Sequence, residues 1–126
     1  MNPRTVLVID DAPHMRRVLK AVLMANGYEV IEAACGVEGL EKFRAESCDC
    51  VLLDLTLPDV DGIEVCREIR ERSRVPIVIV SLRDSKEDER AAREAGADDY
   101  VRKPFGVEAL LASMESAFER SERPSP

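Results

Sequence analysis

Three short apolar runs in this chain each lead into charge. Val6-Leu7-Val8-Ile9 meets Asp10-Asp11, Val51-Leu52-Leu53 meets Asp54, and Tyr100-Val101 leads through Arg102 to Lys103-Pro104. If the runs are parallel strands, their carboxyl ends share one edge of a sheet, the edge where open α/β sheets place their ligands. Three carboxylates and one ammonium then meet in a single crevice. Carboxylates about 4 to 5 Å apart repel by roughly 1 to 4 kcal/mol per pair, so the cluster calls for a cation. Mg2+, or Mn2+ in its place, suits an all-oxygen site and commonly bridges one or two carboxylates to a phosphoryl oxygen. A carboxylate can itself attack phosphorus to form an acyl phosphate while metal and lysine neutralise the equatorial oxygens. Asp54 is the expected nucleophile and Lys103 the mobile positive charge. Ser81, after the run Ile77-Val78-Ile79-Val80, is placed to donate its hydroxyl to a phosphoryl group on Asp54, with the amide of Leu82 beside it.

The elements that must position these residues follow from periodicity. Met15, Val18, Leu19, Val22 and Leu23 mark one face of a first helix, which Asn26-Gly27 stops. A second strand is expected over about Glu29 to Ala33 and a second helix over Val37 to Ala45. The third strand, Cys50 to Leu55, is apolar at nearly every position, as a central parallel strand covered on both faces should be, and Leu57-Pro58-Asp59 breaks it. The third helix spans Gly62 to Arg72. Pro76 opens the fourth strand, and Ser85 with Asp88 signals the cap of a fourth helix that ends at Gly96. That helix offers only Ala91, Ala92 and Ala95 to a core, so it is expected to be the most loosely held. A fifth strand, Asp99 to Val101, precedes a last helix with Val107, Leu110, Leu111, Met114 and Phe118 on one stripe. Strict strand-helix alternation with short links predicts a flavodoxin-like (βα)5 fold: a doubly wound, five-stranded parallel α/β sheet of order 2-1-3-4-5. Its switch point falls between strands one and three, where Asp10, Asp11 and Asp54 end.

At 126 residues the chain is expected to form one domain over residues 1–120, followed by a polar tail or linker stub over 121–126. Its apolar stretches are strand-sized and its start lacks a signal-peptide core, so a cytosolic location with no membrane span is expected. A net charge of −7 argues against direct nucleic-acid binding by this domain. Cys35, Cys48, Cys50 and Cys66 form no C-x-x-C pair and read as reduced, apolar residues, with Cys66 on the buried side of its helix. His14, the single histidine, reads as an exposed residue of the first helical turn, and Arg16 and Arg17 as a solvated or partner-facing surface.

Taken together, the acidic pair Asp10-Asp11, the aspartate in Leu53-Asp54-Leu55-Thr56-Leu57-Pro58, Asp61-Gly62, Ser81 and Lys103-Pro104 resemble the receiver domain of two-component response regulators over about Thr5 to Arg120. The strand order rests in part on that resemblance. It implies a phosphoacceptor, not an enzyme in the ordinary sense, with Asp54 taking the phosphoryl group from a sensor histidine kinase or phosphotransfer protein. It further implies Mg2+ held by Asp11, Asp54 and the Thr56 carbonyl, Asp10 holding a metal-bound water, a cis bond before Pro104, and Tyr100 as an aromatic switch that turns inward with Ser81. Helix one is implied as the kinase dock, and the surface of helix four, strand five and helix five as the switched output. The stretch Gly96 to Gly106 resembles the winged-helix transcription-factor subfamily, whose receivers dimerise through charge pairs on that surface. Glu89, Ala109 and Ser113 depart from its basic, acidic and basic residues, so homodimer formation on phosphorylation is left open. Leu82 stands where the family usually carries a small residue.

Two other classes compete with this one. A Mg2+-dependent aspartyl phosphatase would want D-x-D-x-T after its nucleophile strand, which neither Asp10-Asp11-Ala12-Pro13-His14 nor Asp54-Leu55-Thr56 supplies. A flavodoxin-like cofactor binder needs a Ser/Thr/Gly-rich loop after the first strand, and the acidic pair would repel its phosphate. A degenerate receiver that acts by binding alone is the remaining alternative.

Overall fold

The structure, a computed structural model, describes residues 3–122. Strands and helices alternate throughout: β1 (Thr5–Ile9), α1 (Pro13–Ala25), β2 (Glu29–Ala33), α2 (Gly36–Ala45), β3 (Cys50–Leu53), α3 (Gly62–Arg72), β4 (Ile77–Ser81), α4 (Lys86–Glu94), β5 (Asp99–Arg102) and α5 (Val107–Glu122). The five strands form one parallel sheet in the order β2-β1-β3-β4-β5. The doubly wound α/β expectation and its strand order both hold.

Period-two alternation sorts the central strands between two cores. Leu7, Ile9, Val51, Leu53, Ile77 and Ile79 point to one face, where Val65, Cys66 and Ile69 of α3, Ala92 of α4 and the partly buried Leu40 and Phe43 of α2 cover them. Val6, Val8, Cys50, Leu52, Val78 and Val80 point to the other, under Leu19 and Leu23 of α1 and Leu110, Met114 and Phe118 of α5. Both faces of β1, β3 and β4 are therefore dry, which is why those runs read as continuously apolar. All four cysteines are free, and Cys50 and Cys66 are fully buried as small apolar residues.

Differences from the expected boundaries are local. β3 leaves the ladder after Leu53, although Leu55 is still fully buried. β4 takes in Ser81 and β5 takes in Arg102. α4 ends at Glu94 and has one fully buried residue, Ala92; Ser85 caps its start by accepting the Asp88 N–H at 3.0 Å. α5 runs on through Ser121 and Glu122, the first two residues of the expected tail, and Glu122 pairs with Arg4 at 2.7 Å. The rest of that segment, 123–126, lies outside the described residues.

Candidate functional site

The site is assembled by backbone bonds that extend the sheet one step past its strands. The N–H of Asp10 donates to the Ala33 carbonyl at 3.1 Å, that of Asp54 to Ile9 at 2.9 Å, and that of Lys103 to Ser81 at 2.9 Å. Residues from the ends of β1, β3 and β5 are thereby fixed on the same edge. Asp10, Asp11 and Asp54 each bring a carboxylate oxygen to within 4.8 Å of the others. The Lys103 ammonium lies between two of them, 2.7 Å from Asp10 Oδ2 and 3.0 Å from Asp54 Oδ2, with only 7% of its side chain exposed.

The other oxygens of the two buried carboxylates brace the loops that follow. Asp10 Oδ1 accepts the Ala12 N–H at 2.9 Å, and Asp54 Oδ1 accepts the Thr56 N–H at 3.0 Å. Asp11 is exposed, and among the described residues its carboxylate has no hydrogen-bond or ionic partner. No hydrogen bond among the described residues occupies the Thr56 carbonyl. Burial alone would lower the pKa of Lys103, but its hydrogen bonds to Asp10 and Asp54 and their charges outweigh that and hold it above the ordinary lysine value. The pocket still carries three carboxylates against one ammonium. This all-oxygen, net-negative donor set, with one carboxylate unengaged, fits a hard divalent cation.

Ser81 is fully buried at the end of β4, and its Oγ accepts the Arg83 N–H at 3.2 Å. Tyr100 faces inward, 8% exposed, and its hydroxyl donates to the Arg83 carbonyl at 2.7 Å. Burial and the charge of Asp88 raise the Tyr100 pKa against opposing effects of Ser81, Arg102 and Arg83. Leu82, beside Ser81, is 73% exposed. The Lys103-Pro104 bond is cis. Gly62 permits the start of α3 to lie against the Asp54 loop: a Cβ there would stand 2.5 Å from both the Asp54 carbonyl oxygen and Leu55 Cα. Asp61 caps α3 by accepting the Ile63 N–H at 2.9 Å.

The structure brings together Asp10, Asp11, Asp54 and Lys103, and sets Ser81 at the adjoining end of β4, while Tyr100 lies within β5 opposite Ile79. His14 is exposed on α1 and takes no part in the carboxylate group, as expected. Arg16 corrects the expectation of a solvated residue. Its Nη1 donates to the Asp10 carbonyl at 2.8 Å and its Nε lies 3.7 Å from Glu32, so it braces the β1-α1 turn, while Arg17 stays exposed. Its position one turn into the helix after the acidic pair is the signal that could have marked it. Asp59 does more than break a strand: it accepts the Gly36 and Val37 N–H groups at 2.9 and 2.8 Å and so anchors the loop after Asp54 to α2.

The α4-β5-α5 surface is paired within the chain. Glu89 lies 3.2 Å from Arg102 and 3.7 Å from Arg93, Arg93 lies 3.1 Å from Asp99, and the buried Ser113 hydroxyl donates to Asp99 at 2.6 Å. No described helix is long and apolar enough to cross a membrane.

Comparison with known proteins agrees with this geometry. Residues 6–115 match the profile of the response regulator receiver domain. The chain is 40% identical over 125 residues to a probable transcriptional regulator, ycf27, of Cyanophora paradoxa, covering 99% of this chain and 52% of that protein. It is 42% identical over 115 residues to the KDP operon transcriptional regulatory protein KdpE of Escherichia coli, covering 91% of this chain and 51% of that one. The chain spans about half the length of the curated relatives it matches. Among solved structures, a CheY-like receiver domain protein from Methanospirillum hungatei superposes with a TM-score of 0.89 at 30% identity, covering 95% of this chain and 97% of the other. A two-component response regulator from Clostridium difficile gives 0.90 at 28% identity, covering 95% and 99%.

Proposed function

The chain belongs to the response regulator receiver domain family, with OmpR-type transcriptional regulators as homologues, and from that membership we propose that it works as a switch phosphorylated on Asp54. The observation that carries the reading is the Lys103 ammonium held between Asp10 and Asp54 at 2.7 and 3.0 Å, inside a cluster of three carboxylates. The donor is a phosphohistidine of a sensor histidine kinase or phosphotransfer protein. An Asp54 oxygen attacks phosphorus, the P–O bond forms as the P–N bond breaks, and the histidine nitrogen leaves with the electron pair and takes up a proton. Lys103 shifts from the Asp54 carboxylate onto the transferred group, and the Ser81 hydroxyl and Leu82 N–H donate to its other oxygens. Asp11, Asp54 and the Thr56 carbonyl would hold Mg2+ or Mn2+, with Asp10 acting through a water, and the bound ion would neutralise charge on the phosphoryl oxygens.

Phosphorylation adds about −1.5 to −2 charge. Ser81 and Tyr100 convey that change to the α4-β5-α5 surface, which controls a partner protein or an output domain, and transcription is the output suggested by the relatives. The domain itself contacts neither DNA nor membrane in this reading. The test is intact mass after incubation with acetyl phosphate, with and without Mg2+, and with phosphorylated histidine kinases as second donors. One Mg2+-dependent adduct, lost in Asp54→Asn and labile to hydroxylamine, is expected. Multiple turnover of a phosphate ester, or no adduct from either donor type, would overturn the reading.

A further inference from the structure

We propose that Arg83 is a positioning residue that clamps both switch side chains, Ser81 and Tyr100, through one short loop. The loop between β4 and α4 carries Arg83 between two exposed neighbours, Leu82 and Asp84. Its backbone meets both switch residues: the N–H donates to Ser81 Oγ at 3.2 Å, and the carbonyl accepts the Tyr100 hydroxyl at 2.7 Å. Its guanidinium reaches across to two further elements, with Nη1 lying 3.6 Å from Asp61 Oδ1 and 3.7 Å from Asp88 Oδ1. Asp61 is the cap of α3, and Asp88 sits in the first turn of α4, where its Oδ2 accepts the Ser85 hydroxyl at 2.7 Å. One side chain thus ties the starts of both helices to the loop that sets the Tyr100 acceptor.

An exposed ion pair contributes little by itself, but Arg83 is two-thirds buried and bridges two carboxylates that would otherwise lack its cation. Removing the guanidinium frees the Arg83 carbonyl to move and takes the Tyr100 hydroxyl's acceptor with it. A polar hydroxyl left unpaired in an apolar site turns toward water. The functional consequence rests on the phosphoacceptor reading: the Ser81 hydroxyl reorients toward a phosphoryl group from a position that Arg83 holds. The geometry does not rest on that reading.

The chain has two tyrosines, and Tyr28 is partly buried, stacked on Phe118 against the core on the opposite face of the sheet. Ring-labelled tyrosine NMR of the whole chain, without phosphodonor or Mg2+, therefore reads Tyr100 against an internal reference. In Arg83→Ala the Tyr100 ring signal is expected to shift to the solvent-exposed position and to gain broadening from a soluble gadolinium chelate, with Tyr28 unmoved. The double variant Asp61→Asn with Asp88→Asn should displace Tyr100 in the same direction. It keeps the α3 cap, since asparagine caps as well as aspartate, and leaves Ser85, the cap of α4, unchanged, and so serves as the test if Arg83→Ala does not fold. Arg83→Lys should restore at least half of the shift. A Tyr100 signal unmoved in the double variant, or displaced as far in Arg83→Lys as in Arg83→Ala, would overturn the clamp. Because no phosphoryl group is present in this experiment, its failure would leave Asp54 as phosphoacceptor untouched, and the mass measurement tests that separately.

Discussion

Replacing Lys103 by methionine keeps an unbranched side chain of nearly the same reach and removes the ammonium that lies 2.7 Å from Asp10 and 3.0 Å from Asp54. At an effective dielectric constant near 20, each of those attractions is about 6 kcal/mol before the cost of desolvating the ions is counted. The repulsion between the two carboxylates, whose oxygens lie within 4.8 Å, is then left unopposed at about 3.5 kcal/mol. Removing one partner of a buried pair costs about 3–5 kcal/mol once desolvation is included, and that is the loss expected for Lys103→Met at pH 7 in EDTA. Set against a typical stability of about 5–15 kcal/mol, the variant should fold but unfold at much lower urea. Unfolding followed by far-UV circular dichroism suits a chain with no tryptophan. The wild type carries an alkaline dependence. Lys103 has a folded pKa above its ordinary 10.5, so its contribution is fully present below that value and is lost as pH rises through the folded one. That limb should be missing in Lys103→Met. A deficit under about 1 kcal/mol at pH 7, or an alkaline limb as large in Lys103→Met as in the wild type, would refute the electrostatic account of the pocket.

Gly62→Ala should cost about 1–3 kcal/mol and reduce phosphoryl uptake, because its Cβ would meet backbone atoms of Asp54 and Leu55 at 2.5 Å; Gly106→Ala, with nothing within 4 Å, is the clash-free control and should leave phosphoryl uptake unchanged, and urea midpoints with the mass assay compare them. Brief alkylation at pH 8 followed by peptide mapping should mark the partly exposed Cys35 first. Burial pushes Cys48 and Cys66 up to about 11, leaving roughly one thiolate in a thousand at pH 8, and raises Cys50 further. Equal rates at all four would contradict this order. Leu82→Ala should shorten the life of the phosphorylated form, measured by decay of the mass adduct, since the 73% exposed side chain beside Ser81 shields the group from water; an unchanged or longer life rejects that role.

The sheet was legible because its three central strands are dry on both faces, and unbroken apolar runs admit few other readings. The same signal misled at the end of β3, where Leu55 is fully buried beneath the loop without belonging to the ladder. Hydrophobicity reports burial, and pairing is a separate matter. The last turn of α5 was hidden for the opposite reason. Ser121 and Glu122 are polar and exposed, and what accompanies their helix is an ion pair from Glu122 to Arg4, 118 positions away. The polar devices of the site were hidden in a similar way. The Arg16 guanidinium serves a backbone carbonyl, while Arg83 meets Ser81 and Tyr100 through its own N–H and carbonyl and two carboxylates through its side chain, and no composition or periodicity shows which groups a chain will bring within such reach.

The charges that were legible and those that were not divide along functional lines. Asp10, Asp11, Asp54 and Lys103 sit at strand ends in an under-neutralised pocket, three carboxylates to one ammonium, and a phosphoryl group would add further negative charge to it. Such a site responds by moving cations, and Lys103 is already shared between two acceptors. The α4 and β5 surface is built the other way, with Glu89, Arg93, Asp99, Arg102 and Ser113 satisfying one another. Pairs this exposed are worth about 0–1 kcal/mol each, so re-forming them with a partner costs little, while the single buried residue of α4, Ala92, gives that helix a small apolar hold. A rigid charge imbalance at one edge of the sheet thus faces a surface whose contacts are individually weak. Arg83 is hydrogen-bonded to Ser81 and Tyr100 on one side and drawn to Asp88 of α4 on the other, so a displacement of either switch residue reaches the start of α4 through a single side chain.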